Sequence, residues 1–369
     1  MIQLDDIKRL LATSNGGDIL SLYLRVDPAL QENQAENPAW SIYVKNAFKK
    51  IDFEEYGEAQ ETWEAIRKRA EDYLKQYTPS SKGLALFYGG ELEQIYELPV
   101  PPLKNATHFG KMQVAPLLWL MGEYERYLVV LVGTDEARFL TTYMGDIGRE
   151  ETMASDRLEF DFSEKTLMPR PSGPDSGGGQ VTAGSHRDRF DDMMNEYIDR
   201  FHTDVAERIG KMMKETGAKR LILGGGEKAA HAVKDKLHQS VAKLLVGIAP
   251  VPLHESDKTV MERVAPMAIQ HERARELDLV QEVKGLAKAG GRAALGYDAV
   301  KNALELQQAE TLIAAYPPQD EAKLHELTIK TLESGGEVEL IHGDAAKELD
   351  DFDGFAARLY YVISEQTQG

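Results

Sequence analysis

The stretch PSGPDSGGGQ, residues 171–180, holds two prolines and four glycines, a composition that disfavours helix and strand and predicts a loop. After the loop, apolar residues recur at steps of three and four and predict one face of a long amphipathic helix. They are Phe190, Met194, Tyr197, Phe201, Val205, Ile209 and Met212. Ser185 and Asp188 match a capping box at its start, and Gly217 suits its end. We therefore predict a loop that projects from a rigid helix of roughly 28 residues, about 40 Å long.

The composition places the chain among globular proteins of more than one domain. With 369 residues and 42% apolar residues, two or three packed domains are expected. No run of eighteen apolar residues occurs, and the first residues are acidic without an apolar segment, so we expect neither a membrane span nor a signal peptide. The chain has no cysteine, which excludes disulfides, thiolate zinc sites and cysteine nucleophiles and is typical of the cytoplasm.

The charge balance restricts how the chain could bind nucleic acid. Forty-three basic and 61 acidic residues give a formal net charge of −18. Phosphate contacts depend on lysine and arginine, so any RNA contact must come from local basic patches.

We predict a mixed α/β N-terminal domain over residues 1–122. Trp40 and Trp63 lie in helical patterns and are expected in the core. Helices are predicted at residues 4–11, 40–51 and 62–77, and strands at 19–26, 84–88, 95–98 and 112–120.

A middle domain is predicted over residues 123–256, as a mixed sheet with flanking helices that carries the Gly-rich loop. Residues 127–132 read as a central strand, and residues 138–143 return as a hairpin. Residues 221–223 form a strand before three glycines, Gly224–Gly226, and a further helix. A strand, a glycine turn and a helix could bind phosphate, but the run fits neither GxGxxG nor a P-loop, so we interpret it as a tight turn.

Residues 257–369 are predicted to form a C-terminal α/β/α sandwich, because helical and strand patterns alternate there. Helices are expected at 260–286, 297–306 and 321–332, and strands at 311–315, 338–341 and 355–362. The histidines show no metal-ligand spacing, and we predict neither a metal nor a cofactor.

The order of these elements resembles the bacterial archaeo-eukaryotic release factor family, relatives of archaeal and eukaryotic class I release factors and of Pelota-type rescue factors. The resemblance rests on the 127–143 hairpin, the tripeptide Gly178, Gly179 and Gln180, the following helix with Arg189 and Phe190, and the strand ending in Gly224. The C-terminal third is similar in its Gly335–Gly336 pair before a strand and in its last strand. Ser176 and Gly177 precede the tripeptide where the family has a basic residue, and the spacer to Arg189 is longer.

The resemblance implies hydrolysis of the ester between peptide and tRNA, with the ribosome and peptidyl-tRNA as partners. Gly178, Gly179 and Gln180 would be the catalytic residues, with the Gln180 N–H stabilising the oxyanion. Arg170, His186, Arg187 and Arg189 would contact RNA phosphates. The family's C-terminal domain also implies a possible protein partner. The N-terminal domain has no Asn-Ile-Lys-Ser stop-codon motif, so stop-codon decoding is not expected.

Three functions stay open at the level of the sequence. The first is a ribosome-bound release or rescue factor with hydrolase activity, which the intact Gly-Gly-Gln favours. The second is a non-hydrolytic, hibernation-type ribosome-binding factor of tRNA-like shape, which the net charge and the departures around the loop favour. The third is a nucleotide-binding α/β protein that uses Gly224–Gly226.

Overall fold

The computed structural model describes most of the chain as two compact units. One unit combines Met1–Tyr124 with Gln270–Gly369, and the other is Glu125–Ile269. The division into three domains at residues 122 and 256 stays a prediction. The described residues are 2, 4–13, 17–51, 60–143, 145–155 and 184–361, without the side chains of 184–191.

The N-terminal part of the first unit is an antiparallel sheet covered by helices. The strands are β1 (Ile19–Arg25), β2 (Gly83–Gly89), β3 (Leu92–Leu98) and β4 (Ala106–Gly110), in the order β3-β2-β1-β4. The helices are α1 (Leu4–Thr13), α2 (Ala39–Lys50), α3 (Gln60–Gln76) and α4 (Ala115–Glu123). Trp40 and Trp63 are 5% and 0% exposed and pack with Leu20 and Leu22 of the sheet, so their predicted core role is confirmed.

The second unit is a five-stranded sheet between two helical layers. Its strands are β5 (Tyr127–Val132), β6 (Glu136–Tyr143), β7 (Asp146–Ala154), β8 (Arg220–Gly225) and β9 (Leu245–Ile248), in the order β7-β6-β5-β8-β9. Its helices are α5 (Gly184–Thr216), α6 (Glu227–Lys236), α7 (Gln239–Ala242) and the first part of α8 (Asp257–Lys288). Strands β5, β8 and β9 are parallel, whereas β6 and β7 run antiparallel to their neighbours.

Alternation along β5 explains why both faces of this sheet are covered. Val130 packs against the helices α5 and α6, whereas Val129 packs against Val260 and Val264 of α8. Successive side chains of a strand point to opposite faces, so a continuous apolar run such as β5 requires an apolar layer on each side. The predicted central strand and its flanking helices are confirmed.

The C-terminal part of the first unit holds the third sheet. Its strands are β10 (Ala293–Leu295), β11 (Ala309–Ala315), β12 (Glu337–Ile341) and β13 (Phe355–Leu359), in the order β10-β13-β11-β12. Its helices are α9 (Tyr297–Glu305), α10 (Glu321–Glu333) and α11 (Gly343–Lys347). Ile313 of β11 packs against Val280 and Val283 of α8, and α9 and α10 also pack on β11. The fold class, a mixed α/β chain with three sheets, is therefore as predicted.

One predicted strand is wrong, and the strands β4, β7, β9 and β10 were not predicted. Residues 112–120 were expected to form a strand, but residues 115–120 belong to α4, which has Pro116 in its first turn. Proline suits the first turn of a helix, and a short apolar run cannot distinguish a buried helix from a buried strand. The polar stretch after residue 145 contains β7, an edge strand whose charged side chains are largely exposed. Because these side chains are charged, the sequence shows no apolar pattern that would predict a strand.

No helix in the described part of the chain combines the length and apolar character that crossing a membrane requires.

Candidate functional site

The two described elements that flank the Gly-rich segment, β7 and α5, end and begin at one edge of the five-stranded sheet. Strands β5 and β8 are parallel and end together at Val132 and Gly225. Ala154, the last residue of β7, pairs with Glu136 at the start of β6, so β7 ends at this same edge. Helix α5 runs back along the sheet to β8, and therefore also begins at this edge. The carboxyl edge of parallel strands is the usual place for a functional site in such sheets.

The glycine turn after β8 has a structural role. A Cβ on Gly225 would lie 2.1 Å from the carbonyl oxygen of Val132, and its φ is +91°. Its N–H donates to the Val251 carbonyl at 2.7 Å, and the Gly226 N–H donates to the Val132 carbonyl at 2.8 Å. These donors are used within the protein, so they are not free to bind a phosphate. The interpretation as a tight turn is confirmed.

Helix α5 has two parts: residues 201–216 pack in the core, and residues 184–200, called the arm below, precede them. Its buried side chains begin at Phe201 and continue through Val205, Ile209 and Met212, which confirms the second half of the predicted apolar face. Met194 and Tyr197 are partly buried. Residues 184–200 extend toward the Gly-rich segment over about 25 Å at 1.5 Å per residue.

The end of the helix is also explained by the sequence. Gly217 has a φ of +69°, a left-handed value that glycine adopts readily after the last helical residue. The helix begins at Gly184, one residue before the predicted cap Ser185. The capping contacts of Ser185 and Asp188 lie outside the described side chains.

An ion-pair network fixes α5 to β7. Arg208 binds Glu151 through both carboxylate oxygens, at 2.6 and 2.7 Å, and reaches Glu215 at 2.9 Å. Arg149 adds contacts to Glu151 at 2.9 Å and to Glu215 at 3.4 Å. The hydrogen bonds from Arg208 lower the pKa of the Glu151 carboxyl and of the Glu215 carboxyl. Both carboxylates stay ionised at neutral pH, so the helix stays attached to the strand that precedes the Gly-rich segment.

Three of the predicted site residues belong to α5, and the other four lie outside the described residues. Gly178, Gly179, Gln180 and Arg170 lie outside the described residues. His186, Arg187 and Arg189 belong to the first turns of α5, and their side chains are not described. The structure thus places the chain segments on both sides of the tripeptide at one sheet edge. The roles of these residues remain predictions.

The first unit contains a group of possible metal ligands that sequence analysis missed. One ligand atom each from Glu123, Glu276 and His342 lies within 4.8 Å of the others. The guanidinium of Arg273 lies among them, 3.3 Å from the Glu276 carboxylate and 3.1 Å from Nδ1 of His342, and it also bonds Glu123. A metal would have to displace this resident cation, so the geometry describes an ion-pair cluster. The residues are far apart in sequence, and no motif could have revealed them.

A pocket in the first unit offers a second concave surface. Its cavity volume is about 90 Å³, and it is partly open to solvent. Tyr23, Tyr316 and several prolines form apolar walls, while Lys104 and Glu321 form an exposed ion pair at 3.3 Å. The Tyr23 hydroxyl already donates to the Gln113 carbonyl at 2.6 Å, and burial raises the pKa of Tyr316 to about 12. Both tyrosine hydroxyls therefore stay protonated at neutral pH.

Comparison with known proteins finds a family match over the second unit and the residues just before it. Residues 113–269 match the model of the bacterial archaeo-eukaryotic release factor family 10. Over these residues the chain is similar to the bacterial archaeo-eukaryotic release factors. The matched residues include all of β5–β9, α5 and the Gly-rich segment. No curated protein matches the sequence.

Solved structures similar to this chain are distant from it in sequence. Dom34 of S. cerevisiae, described as a translation termination-like factor, is 12% identical with a TM-score of 0.46 and coverage of 78% of this chain and 81% of its own. Pelota from Archaeoglobus fulgidus is 15% identical, with a TM-score of 0.34 and coverage of 98% and 93%. The archaeal termination factor aRF1 is 18% identical, with a TM-score of 0.27 and coverage of 98% and 99%. At such low TM-scores these likenesses carry no argument about function.

Proposed function

We propose that this protein is a ribosome-associated release or rescue factor that hydrolyses the peptidyl-tRNA ester through Gly178, Gly179 and Gln180. The observation that carries the proposal is the placement of this tripeptide between β7 and α5. Both elements meet the tripeptide's segment at one sheet edge, within the residues that match the release-factor family model. The long arm formed by α5 suits the delivery of a catalytic segment into a deep, RNA-walled cavity.

The chemistry requires few groups from the protein. Water that attacks an ester carbonyl generates an oxyanion, which an oriented N–H donor stabilises. In the proposal, the backbone N–H of Gln180 is that donor and its side chain shapes the water pocket. Gly178 and Gly179 supply backbone angles that a Cβ would forbid and leave room beside the RNA. The ribosome and the tRNA hydroxyls supply the remaining groups.

RNA contact would be local. In the proposal, Arg170, His186, Arg187 and Arg189 supply the phosphate contacts in a chain of net charge −18. Lysine and arginine contacts to phosphate produce salt-dependent binding, so we expect ribosome affinity to fall with ionic strength. We propose a cytoplasmic protein without stop-codon decoding and with a possible further protein partner at the C-terminal part.

The hydrolase proposal is tested by comparing peptide release with ribosome binding. In Gly179→Ala the added Cβ misaims the Gln180 N–H, and losing one oxyanion donor lowers the release rate by about 10²–10³-fold. Gln180→Ala keeps the backbone N–H and should lose less. Gly173→Ala, in the same segment but outside the tripeptide, is the matched control. Equal release from wild type and Gly179→Ala, at equal occupancy of the ribosome, would contradict the proposed role of the tripeptide.

Ribosome binding through the arm is tested by charge reversal. Replacing Arg187 and Arg189 by Glu should weaken ribosome association and its salt dependence. Lys228 and Lys234 of α6 are exposed and give a control with the same change of charge. Lys236 is a poor control because it pairs with Asp199 at 2.7 Å and helps to hold α5. Equal weakening by both double variants would exclude binding centred on the arm.

The acidic composition supports a second candidate, a non-hydrolytic ribosome-binding factor of the hibernation type. A net charge of −18 limits extended contact with RNA and suits a factor that occupies the ribosome through a few contacts. Wild-type protein that binds ribosomes but releases no peptide from any ribosomal complex would establish this alternative.

A further inference from the structure

We propose that His202 is a positioning residue that fixes the direction of the N-terminal half of α5, the helix that follows the Gly-rich segment in the chain. The inference deepens the proposed function and rests on it for its catalytic consequence. The structural part concerns described residues alone: the turn between β5 and β6, the end of β7, and the first buried turn of α5.

The β5–β6 turn binds the chain on both sides of the Gly-rich segment. Before the segment, the backbone N–H of Ser155 donates to the carbonyl of Asp135 at 2.8 Å. After the segment, Nε2 of His202 lies 3.0 Å from the carbonyl oxygen of Gly133. Because that oxygen can only accept, the contact assigns the proton of the imidazole to Nε2. Two residues of one turn thus hold the departing strand and the returning helix.

His202 stands out because it is a polar side chain at a core position of the helix. It is 4% exposed and adjoins Phe201 and Val205, which are 3% and 0% exposed. An aliphatic residue would fill such a position without burying polar atoms. A buried imidazole is tolerated when it is hydrogen-bonded, and the Gly133 carbonyl supplies that bond. The hydrogen bond, and not apolar packing, is what this histidine adds.

The turn is a firm anchor for this contact. The N–H of Gly133 donates to the Glu136 carbonyl at 2.7 Å. A Cβ at Gly133 would lie 3.0 Å from Leu253, so the turn fits closely against its neighbour. Arg138 in turn binds the Leu253 carbonyl at 3.1 Å and Asp257 at 3.0 Å. The carbonyl that meets His202 therefore belongs to the rigid body of the sheet.

A small change in the direction of α5 at His202 produces a large displacement at the start of the helix. His202 lies in the first fully buried turn of the described part of α5, close to the ion pair between Asp199 and Lys236 at 2.7 Å. Residues 184–200 precede it over about 25 Å. A tilt of about 10° at this point moves the start of the helix by about 4 Å over that length. Displacements of about 1 Å can cost a catalysed reaction 10²-fold, so a small loss of direction at His202 would be large at the tripeptide. The Arg208 network lies further along the helix and cannot fix this end.

The test uses the full-length protein with two substitutions at one position. His202→Leu fills the space without a donor, whereas His202→Gln retains an N–H that can reach the carbonyl. His231→Leu is the matched control, since His231 is exposed on α6. Hydrogen exchange of residues 192–201 is measured in the free protein, and peptide release and ribosome binding are measured in parallel.

We expect exchange of residues 192–201 to accelerate at least tenfold in His202→Leu, with the rest of the second unit unchanged. Release should fall about 10- to 100-fold at unchanged ribosome binding, and His202→Gln should restore both properties. A merely space-filling role predicts instead that Leu is tolerated and that Gln is worse.

Exchange and release equal to wild type in His202→Leu would overturn the inference. If wild type releases no peptide, the hydrolase proposal fails while the exchange comparison still decides the role of His202. If His202→Leu does not fold, His202→Asn replaces it, because its amide is too short to reach Gly133.

Discussion

Replacing Gly225 by alanine tests whether the glycine turn after β8 is a structural element of the second unit. Gly225 pairs with Val132 across the parallel strands β5 and β8. An added Cβ would lie 2.1 Å from the Val132 oxygen and 2.4 Å from its nitrogen. Both atoms are backbone atoms of a central strand, so neither can rotate away as a side chain could. The strands must move apart by about 1 Å to restore ordinary contact distances.

The expected loss of stability follows from two contributions. Overpacking in a well-packed core typically costs about 1–3 kcal/mol. The φ of +91° adds about 1–2 kcal/mol for any residue with a Cβ. Together they predict that Gly225→Ala lowers the free energy of unfolding of the second unit by about 2–5 kcal/mol. A loss of this size is a large fraction of the stability of a typical domain.

The neighbouring Gly226 gives a matched control. A Cβ there would meet its nearest atom at 3.7 Å, an ordinary contact, so Gly226→Ala should change stability by less than about 1 kcal/mol. Urea unfolding is followed by far-UV circular dichroism and by hydrogen exchange of β8. The three tryptophans, Trp40, Trp63 and Trp119, all belong to the first unit, so their fluorescence reports separately on that unit. Equal stability of the two alanine variants would refute the reasoning.

Two further predictions concern the cores of the two units. Burial lowers the pKa of His325 to about 4, and the nearby His108 and Lys111 add to the shift. The unfolded chain takes up this proton near pH 6.5 and the folded chain only near pH 4, so protonation favours the unfolded chain between these pH values. The melting temperature should therefore decrease as the pH is lowered from 6.5 to 4, and it should decrease less in His325→Gln. Ile209 is fully buried, and Ile209→Ala should cost about 2–5 kcal/mol in urea unfolding. Met193→Ala, on an exposed part of the same helix, should stay within about 0.5 kcal/mol, and equal losses would contradict the observed burial.

The sequence predicted the second unit well because its signals are strong and local. The short apolar, β-branched run at residues 127–132 predicted a central strand, and it became the centre of the sheet. The spacing of Phe201, Val205, Ile209 and Met212 predicted the buried face of α5, and Gly217 marked its end. The tripeptide at residues 178–180, in the order of its flanking elements, was enough to indicate the release-factor family.

Secondary-structure predictions from short stretches of sequence were wrong where contacts with neighbouring elements decide the conformation. Strand β7 has charged, exposed side chains, and only its pairing with β6 makes it a strand. Residues 112–120 were predicted as a strand because a short apolar run carries no periodicity that separates the two structures. Packing against surrounding elements, which a run of a few residues cannot reveal, places residues 115–120 in helix α4.

By itself, the sequence determined the fold class and the long helix α5, and it predicted the tripeptide Gly178, Gly179 and Gln180 as the site, which stays a prediction. Only the tertiary structure decided which residues hold that helix. His202 meets Gly133 across 69 positions, and Arg208 meets Glu151 across 57. These contacts depend on chain elements that only folding brings together, and a hydrogen bond forms only between atoms about 3 Å apart. The spacing of residues along the sequence does not reveal distances between atoms. The contacts that anchor the arm could therefore be found only in the tertiary structure.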